Sequence, residues 1–347
     1  MFQDITIEQL REQQKNKPYV MIDVRSPSEY RDATIPGSIN IPLFDDQERA
    51  EIGTLYTRTS VQAAKERGLE IVSAKLPAFI REFAKIPERK VVFCWRGGMR
   101  SRTTATLLSL MDIHVYRLSG GYRAYRRWVV ETLSAYELKS RVVVLHGHTG
   151  TGKTAILRRL EAEGYPVLDL EKLAGHRGSI FGGVGLQAHN QKTFEALLLE
   201  RLIELQDSPY VVLEAESKRI GKVVLPEWLM QKKEAGLAIR IEAPVEARVR
   251  QILEDYPTED KNVYIKAFNV IRERIHTPIA KEIAACLEAE EYEPAVRLLL
   301  EYYYDPRYSH TTEQYVPSPQ ISLNVSDLDD AVSQVRAVLD AIAAGQA

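Results

Sequence analysis

Two short glycine-rich segments hold the residues of this chain whose types and spacing best suit chemistry on anions. One is Cys94–Ser101, with a cysteine, two glycines and two arginines; the other is Gly147–Thr154, with the pattern Gly-x4-Gly-Lys-Thr. Each follows an apolar run typical of a buried strand and precedes a helical pattern. Glycines let backbone N–H groups turn toward an oxyanion, and the helix N-terminus adds partial positive charge. The sequence therefore predicts two anion-binding loops, called here the cysteine loop and the phosphate loop.

The phosphate loop has the spacing of a P-loop, and its predicted ligands are Gly147, Gly150, Gly152, Lys153 and Thr154. Lys153 is expected to reach the terminal phosphate, and Thr154 has the hydroxyl that ligates Mg²⁺ in such loops. The alternative, a chance glycine-rich turn, is disfavoured because the strand Val142–Leu145 and a helix flank the loop in the required order. The motif predicts a phosphate group without identifying the molecule that carries it.

The cysteine loop places Cys94 at the end of the predicted strand Lys90–Phe93, ahead of Arg96, Gly97, Gly98 and Arg100. A ring of N–H donors and two arginines favours a thiolate, which suits a nucleophile that carries an anionic adduct. The alternative is a buried core cysteine. It is disfavoured here because two glycines and two arginines are costly in a plain core turn. For Cys286, in an apolar helical stripe, the core interpretation prevails.

Further candidates follow the other predicted strands of the second half. Those assigned to a second-substrate or magnesium site are Asp169, His176, Arg177, Ser179, Glu214, Glu216 and Arg219. Glu214 lies in the carboxylate-bearing end of the predicted strand Tyr210–Ser217, in the Walker B manner, where an acid holds magnesium or orients a water. Glu216 is the alternative base. An ordinary mobile loop is the competing interpretation of the glycine-rich segment Leu173–Gly183.

A basic and aromatic stretch precedes the second half, and its predicted RNA-binding residues are Arg117, Tyr122, Arg123, Arg126 and Arg127. Arginine charge and aromatic stacking are what single-stranded RNA requires. The alternative is that this stretch is a solvated helix face near the domain linker, and the sequence favours neither interpretation over the other.

The elements that position these residues alternate strands with helices, which predicts an α/β fold with parallel sheets. The predicted domains are 1–130, a linker at 131–140, and 141–347 with a helical part from residue 244. The predicted strands are Tyr19–Val24, Lys90–Phe93, Val115–Leu118, Val142–Leu145, Gly164–Leu170, Tyr210–Ser217 and Ala238–Glu242.

Bulk properties narrow the function classes. The net charge of the 347-residue chain is −2, so any nucleic-acid contact must come from a local basic patch. The two cysteines are far apart in sequence, which argues against a disulfide framework and suits a reducing cytoplasm. No apolar run approaches the length of a membrane span, and the N-terminus lacks a basic-then-apolar signal.

The first third of the chain resembles a rhodanese domain, in the motifs Ile22–Tyr30, Ile35–Pro42, the cysteine loop and Leu118–Tyr122. Rhodanese cysteines accept sulfur or selenium as a persulfide or perselenide, and the resemblance implies that Asp23 and Arg25 shape the loop. In one departure, the loop arginine lies six positions after the cysteine, where rhodaneses have five. That is the Cys-x5-Arg spacing of phosphatases, and the wider loop is expected to admit a bulkier anion such as selenophosphate.

The two halves together resemble the family of bacterial tRNA 2-selenouridine synthases, also in Gly53–Tyr56, Leu168–Ser179 and Glu214–Gly221. The resemblance implies a cytoplasmic enzyme acting on wobble position 34 of tRNAs for Lys, Glu and Gln, already thiolated at C2. The sulfur is geranylated with geranyl diphosphate, then replaced by selenium from selenophosphate, which Cys94 receives or guides. The resemblance further implies no tightly bound cofactor, Mg²⁺ as an additional candidate, and a selenophosphate-supplying enzyme as a candidate partner.

Three other functions stay open on the sequence. The strongest is a P-loop kinase or ATPase with an attached sulfur-carrier rhodanese domain, which predicts tight ATP binding and none of geranyl diphosphate. The others are a non-catalytic adaptor and a phosphatase built on the Cys-x5-Arg loop.

Overall fold

The computed structural model describes residues 2–256, 261–307 and 320–345. Two compact units are distinguished. Met1–Tyr136 with Glu195–Leu197 form the N-terminal unit, and Glu137–Phe194 with Leu198–Ala347 form the C-terminal unit. Each contains a parallel sheet and helices, which confirms the predicted α/β class. Within the described ranges, no helix combines the length and hydropathy needed to cross a membrane.

The N-terminal unit is built on a parallel five-stranded sheet in the order β1-β5-β4-β2-β3. Its elements are β1 (Gln3–Ile5), α1 (Ile7–Gln14), β2 (Tyr19–Asp23), α2 (Pro27–Asp32), β3 (Ile39–Asn40), α3 (Asp46–Arg58), α4 (Val61–Ala84), β4 (Arg89–Phe93), α5 (Met99–Leu110), β5 (Val115–Leu118) and α6 (Gly121–Ser134). Helix α6 thus includes the first residues of the segment 131–140 that was predicted as linker. Apolar side chains of β2 and β4, such as Ile22 and Val92, form the core with α4 and α5.

The C-terminal unit has a parallel sheet in the order β11-β10-β6-β7 and a β8-β9 hairpin. Its first elements are β6 (Arg141–Gly147), α7 (Lys153–Ala162), α8 (Leu170–Ala174), α9 (Gln191–Glu204), β7 (Tyr210–Glu214), β8 (Arg219–Ile220), β9 (Val223–Val224), α10 (Glu227–Glu234) and β10 (Leu237–Glu242). The later elements are α11 (Val245–Asp255), α12 (Lys261–Ile271), a 3₁₀-helix (Arg272–Arg274), α13 (Thr277–Glu288), α14 (Tyr292–Leu299), a π-helix (Leu300–Tyr304), β11 (Gln320–Asn324) and α15 (Leu328–Ala343).

Two strand assignments differ from the sequence prediction. The predicted strand Gly164–Leu170 is wrong, because Val167 forms an isolated bridge with Val212 and α8 begins at Leu170. The side chain of Asp169 caps that helix by accepting from the Lys172 N–H, which favours the helix start over an extended backbone. Strand β11 lies in the region predicted as mainly helical, where its partly exposed residues give a weak apolar pattern.

The two loops occupy matching positions in their sheets. Strand β4, which precedes the cysteine loop, is the middle strand of its sheet, and β6, which precedes the phosphate loop, lies between β10 and β7. The carboxyl ends of inner parallel strands are where α/β sheets bind ligands. Each unit therefore presents its loop where the fold favours a site.

Candidate functional site

Cys94 lies directly after β4, and its side chain is 3% exposed. Its Sγ is 3.2 Å from the Ser101 hydroxyl, and the residue belongs to the hydrophobic core cluster of the sheet. The structure therefore buries this thiol, as the disfavoured core interpretation required. A Cβ built at Gly98 would meet no described atom within 4 Å, so there is open space at this position of the loop.

The cysteine loop is closed by the first turn of α6. The N–H of Tyr122 donates to the Cys94 carbonyl and that of Arg123 to the Trp95 carbonyl, both at 2.9 Å. A Cβ at Gly121, where φ is +59°, would lie 2.1 Å from the Cys94 carbonyl oxygen. Only glycine permits this approach, so the Gly120-Gly121 turn fixes the shape of the loop from below.

Asp23 and Arg25 form a buried ion pair beneath the loop. Arg25 donates to both carboxylate oxygens of Asp23, at 3.0 and 2.5 Å, and to the Ala33 carbonyl at 2.7 Å. The guanidinium also lies over the Tyr122 ring, 4.5 Å from its centroid, and 5.9 Å from the Trp95 ring. Arg25 thus contacts Trp95 of the loop and Tyr122, and the shaping role of the pair stays a prediction.

Arg100 is engaged by a carboxylate. Its two terminal nitrogens donate to Glu29 of α2 at 2.5 and 3.1 Å. Burial acts to raise the pKa of the Glu29 carboxyl, but the hydrogen bond and charge of Arg100, with help from Ser26 and Arg49, lower it below the ordinary 4.5. Arg96 is exposed. Of the two predicted loop arginines, Arg100 is therefore held by Glu29, whereas Arg96 faces solvent.

The predicted RNA-binding residues of the basic stretch differ in their exposure. Arg117 donates to Asp4 at 2.7 and 2.6 Å and to the Gly97 carbonyl at 2.9 Å, so it braces the cysteine loop. Tyr122 is 2% exposed beneath Arg25, which leaves its ring no free face for a base in this conformation. Arg126 is half-buried, whereas Arg123 and Arg127 are exposed on α6.

The phosphate loop bends tightly between β6 and α7. Gly150 has φ of +83°, and a Cβ there would lie 2.8 Å from both the Arg248 carbonyl oxygen and Ile252 Cδ1 of α11. Lys153 donates through Nζ to the carbonyls of Gly147 at 2.7 Å and His148 at 3.3 Å. The ammonium therefore crosses the mouth of the loop, where phosphate oxygens would replace these carbonyls.

Residues far along the chain hold this loop, and sequence reasoning missed them. Arg248 donates from Nε to the Thr149 carbonyl at 2.8 Å and forms a bidentate pair with Asp305 at 2.9 and 2.6 Å. Asp305 also lies 3.1 Å from Nδ1 of His148. No local motif links residues about 100 to 150 positions apart, so only the tertiary fold reveals this support.

An acidic cluster, formed by Asp169, Glu171, Glu214 and Glu216, lies beside the phosphate loop. The Thr154 hydroxyl donates to Glu171 at 2.6 Å, and the Glu171 N–H donates to Glu214 at 2.7 Å. Glu214 is 1% exposed, and its Oε2 accepts no hydrogen bond from any described residue. The partner of Thr154 is therefore Glu171, which was not singled out although the Asp169-x-Glu171 spacing was a usable signal.

Burial raises the pKa values of the acidic cluster, and repulsion within the cluster adds to the shift at Glu171 and Glu214. Burial first, and the charge of Glu216 second, raise the pKa of Glu171 to about 7 against the opposing effects of Thr154 and Lys153. Burial and the neighbouring carboxylates raise the pKa of Glu214 well above its ordinary value. Burial lowers the pKa of Lys153, although the carboxylates oppose this shift. At Glu216, Lys153 and Lys233 oppose the upward shift of the pKa that burial causes.

The glycine-rich segment after α8 joins this cluster through Glu216. A Cβ at Gly178 would lie 2.2 Å from Oε2 of Glu216, so the carboxylate packs on the segment backbone. Arg177 lies over the Tyr256 ring, 4.7 Å from its centroid, and the Ser179 hydroxyl is 3.1 Å from the Tyr256 hydroxyl. His176 packs between the glycines at 182 and 221. Arg219 is exposed on β8 and lies outside these contacts.

In the part of the chain that the structure describes, no group of three or more His, Cys, Asp or Glu side chains is arranged as a metal site. The predicted magnesium ligands Thr154 and Glu214 are linked through Glu171.

Two family models match the chain. The model described as a rhodanese-like domain covers residues 6–127, and the model described as the tRNA 2-selenouridine synthase AAA domain covers residues 140–288. The N-terminal domain of a putative ATP/GTP binding protein from Clostridium difficile, a solved structure, is 37% identical with a TM-score of 0.35; the match covers 37% of this chain and 98% of that one.

Several relatives are named tRNA 2-selenouridine synthase. That of Nitrosomonas europaea is 35% identical over 244 residues, which are 68% of this chain and 63% of the relative, so this match spans under two thirds of the relative. That of Cupriavidus necator is 32% identical over 85% of this chain and 88% of its own length. That of Hydrogenovibrio crunogenus is 32% identical over 92% of this chain and 96% of its own length.

Proposed function

The chain belongs to the tRNA 2-selenouridine synthase family, and from that premise we propose that it converts wobble 2-thiouridine of tRNA to 2-selenouridine in two steps. The first step geranylates the C2 sulfur at the phosphate loop, and the second replaces it with selenium at the cysteine loop. The observation that carries the proposal is the presence, in one chain of this family, of a P-loop and a thiol-bearing anion loop, each at the end of an inner strand.

In the first step the C2 sulfur attacks C1 of geranyl diphosphate. The C–S bond forms as the C1–O bond breaks, and diphosphate leaves with the electron pair. Lys153 and the loop N–H groups would stabilise the departing charge. The base loses its N3 proton, and Glu216 is the candidate acceptor, because it is half-buried beside Lys153 and hydrogen-bonded to Glu171.

The residues around Thr154 fit a magnesium ion that arrives with the diphosphate. The Thr154 hydroxyl and the carboxylates of Glu171 and Glu214 are the hard oxygen donors that Mg²⁺ prefers, and one buried oxygen of Glu214 lacks a described partner. These residues would hold the ion, which would neutralise part of the diphosphate charge.

In the second step selenium from selenophosphate adds to C2. The C2–S bond then breaks, geranyl thiol leaves, and water cleaves the P–Se bond to release phosphate. Alkylation makes the sulfur a better leaving group than the free thiocarbonyl. Cys94 would guide the selenium of selenophosphate toward C2, where selenium keeps its oxidation state, and Arg96, with the cysteine-loop N–H groups, would bind the phosphate. Arg100 would join it through the N–H donors that Glu29 does not occupy.

The RNA partners in this proposal are the anticodon arms of tRNAs for Lys, Glu and Gln, in the cytoplasm. The exposed Arg123 and Arg127 are the candidates for phosphate contact. A selenophosphate-supplying enzyme would be a second partner.

Mass spectrometry of wobble nucleosides tests this function. Cells that lack the protein should contain 2-thiouridine but neither its S-geranyl nor its seleno derivative, with or without added selenium. Restoring the gene should restore S-geranyl-2-thiouridine without selenium and 2-selenouridine with it. Unchanged 2-selenouridine in the deleted strain would contradict the proposal.

A further inference from the structure

One buried arginine of the C-terminal unit, Arg248 of α11, contacts the phosphate loop but has no role in the proposed chemistry. Its side chain is 5% exposed, and its Nε donates to the Thr149 carbonyl at 2.8 Å. Its two terminal nitrogens donate to Asp305 at 2.9 and 2.6 Å. Because the guanidinium is planar and rigid, these bonds fix the loop carbonyl relative to the carboxylate.

The peptide between Thr149 and Gly150 is oriented differently from the two peptides before it. The two preceding carbonyls of the loop accept from Lys153, whereas that of Thr149 accepts from Arg248. The C=O and N–H of a trans peptide point in opposite directions, so the Gly150 N–H points away from Arg248. Among the described residues this N–H has no hydrogen-bond acceptor. The arginine therefore turns one loop donor away from α11 and leaves it available to an anion.

Asp305 follows a π-helix, which affects where its side chain points. The segment Leu300–Tyr304 continues α14 in the wider π form, and the Asp305 N–H donates to the Leu300 carbonyl. A π turn changes the direction of the side chains that follow it relative to an α-helix, and such turns are frequent at functional sites. Asp305 thereby meets Arg248 and also lies 3.1 Å from Nδ1 of His148. One carboxylate thus connects the C-terminal helices to the phosphate loop at two points.

Arg248 and Asp305 form a charged pair that is largely buried. Burial acts to raise the pKa of Asp305, but the hydrogen bonds and the charge of Arg248, helped by His148, keep it below the ordinary 3.8. A buried ion pair adds little to stability compared with apolar side chains of similar volume. The main consequence of this pair is therefore the position of the groups that it holds.

We propose that Arg248 is a positioning residue of the phosphate loop, which orients the peptide between Thr149 and Gly150 so that the Gly150 N–H meets a phosphate oxygen of the ligand. Asp305 holds the guanidinium in the orientation that this contact requires. The inference rests on the proposed function only in that a diphosphate occupies the loop. The alternative is an arginine that stabilises the fold without affecting the ligand.

The sequence allows the two loop glycines to be observed separately from all others. Thr-Gly pairs occur only at Thr149-Gly150 and Thr151-Gly152. Labelling threonine with ¹³C at its carbonyl and glycine with ¹⁵N therefore selects these two amides by NMR in the full-length protein. The probe is inorganic diphosphate with Mg²⁺, and Gly152 serves as the internal comparison for Gly150.

Three variants separate positioning from stability. Arg248→Met removes the donors but keeps an unbranched side chain. Asp305→Asn keeps the arginine and removes the charge that orients it. Arg297→Met is the matched control, because Arg297 also links α14 to α11, through Glu246 at 3.0 Å. Denaturant titrations of each variant report any loss of stability.

Saturating diphosphate should shift the amide protons of Gly150 and Gly152 downfield in the wild type and in Arg297→Met. In Arg248→Met the shift of Gly150 should be lost and that of Gly152 kept. The Kd for diphosphate, measured by calorimetry, should rise roughly tenfold or more, because a charge-assisted hydrogen bond to the ligand is lost. Asp305→Asn should show a smaller change of the same kind.

An unchanged Gly150 shift or an unchanged Kd in Arg248→Met, whatever its stability, would overturn the proposal. So would the loss of both glycine shifts with diphosphate bound, because the effect would not be confined to one peptide. If Arg248→Met does not fold, Asp305→Asn decides, and a full Gly150 shift there would overturn the proposal. A wild type that does not bind diphosphate, or binds it without a shift at either glycine, would instead count against the proposed first step.

Discussion

Around the cysteine loop of the N-terminal unit, cations and carboxylates are already paired. Asp23 holds Arg25, Glu29 holds Arg100 and Asp4 holds Arg117. Beside the phosphate loop of the C-terminal unit, burial raises the pKa values of all four carboxyls of the acidic cluster, and repulsion within the cluster adds to the shift at Glu171 and Glu214. One loop therefore has a frame of ion pairs, whereas the other lies beside buried carboxyls whose raised pKa values favour the protonated form.

This difference suits the two proposed steps. A frame of ion pairs and close glycine contacts would hold the backbone of the cysteine loop in place for an anion. The acidic cluster, in contrast, is suited to take up protons or a cation. In the proposed first step this would serve where diphosphate binds with its counterion and where the thiouridine ring gives up its N3 proton. The predictions below separate these two behaviours, and they are ordered from the largest effect to the smallest.

Cys94→Ser should reduce 2-selenouridine formation by at least roughly a thousandfold, because it removes the thiol that handles selenium. Geranylation should stay near the wild-type rate. Nucleoside mass spectrometry of tRNA treated with purified protein measures both products. Cys286→Ser, in the half-buried stripe of α13, is the matched control and should change neither. Selenation at the wild-type rate in Cys94→Ser would show that the assigned role is wrong.

Lys153→Ala should lower geranylation by roughly a hundredfold or more, because the charge across the phosphate loop is lost as diphosphate departs. Selenation of tRNA supplied already geranylated should be nearly unaffected. Lys172→Ala changes a lysine that is 58% exposed and paired with Glu161, and it serves as control. Equal loss of both steps in Lys153→Ala would mean that the two loops do not act separately.

Glu171→Gln should alter the pH dependence of stability. The pKa of Glu171 is about 7 in the folded chain against an ordinary 4.5, so its contribution is fully present below 4.5 and is lost as pH rises through 7. The free energy of unfolding of the wild type relative to Glu171→Gln should fall by about 1 to 3 kcal/mol between pH 5 and pH 8. Denaturant titrations at each pH measure this free energy. A difference between the two proteins that does not change with pH would contradict the raised pKa of Glu171.

Glu29→Gln should show the opposite slope. Its lowered pKa means that its contribution is present above 4.5 and is lost as pH falls through the folded value. At pH 7 the substitution should cost about 1 to 2 kcal/mol, because Arg100 keeps its charge and loses half of its bidentate partner. The exposed pair of Glu82 with Lys85 supplies the control Glu82→Gln, which should have no measurable effect. If the loss of unfolding free energy caused by Glu29→Gln were larger at low pH than at pH 7, the lowered pKa of Glu29 would be contradicted.

Local pattern was enough to predict both loops and most strands. Apolar runs ahead of Cys94 and Gly147 fixed the inner strands, and glycine spacing fixed the loops between strand and helix. The same information failed at Gly164–Leu170, where the capping of α8 by Asp169 outweighs an apolar run too short to distinguish strand from helix.

What local pattern does not contain is the partner of each charged side chain. Arg100 was assigned to anion binding because of its position after Cys94, yet Glu29, 71 residues earlier, takes its guanidinium. Tyr122 was assigned to RNA because arginines surround it, and the fold instead places it under Arg25. The support of the phosphate loop by Arg248 and Asp305 depends on helices far along the chain. Such pairings are set by tertiary packing, which one sequence does not encode in any local spacing.

The most direct test of two loops serving successive steps is a mixing experiment with unmodified 2-thiouridine tRNA, geranyl diphosphate and selenophosphate. Cys94→Ser protein alone should stop at S-geranyl-2-thiouridine, and Lys153→Ala protein alone should leave the thiouridine nearly unchanged. Both proteins together should produce 2-selenouridine, because the tRNA released by one is the substrate of the other. Failure of the mixture to form 2-selenouridine, while wild-type protein forms it under the same conditions, would contradict the account.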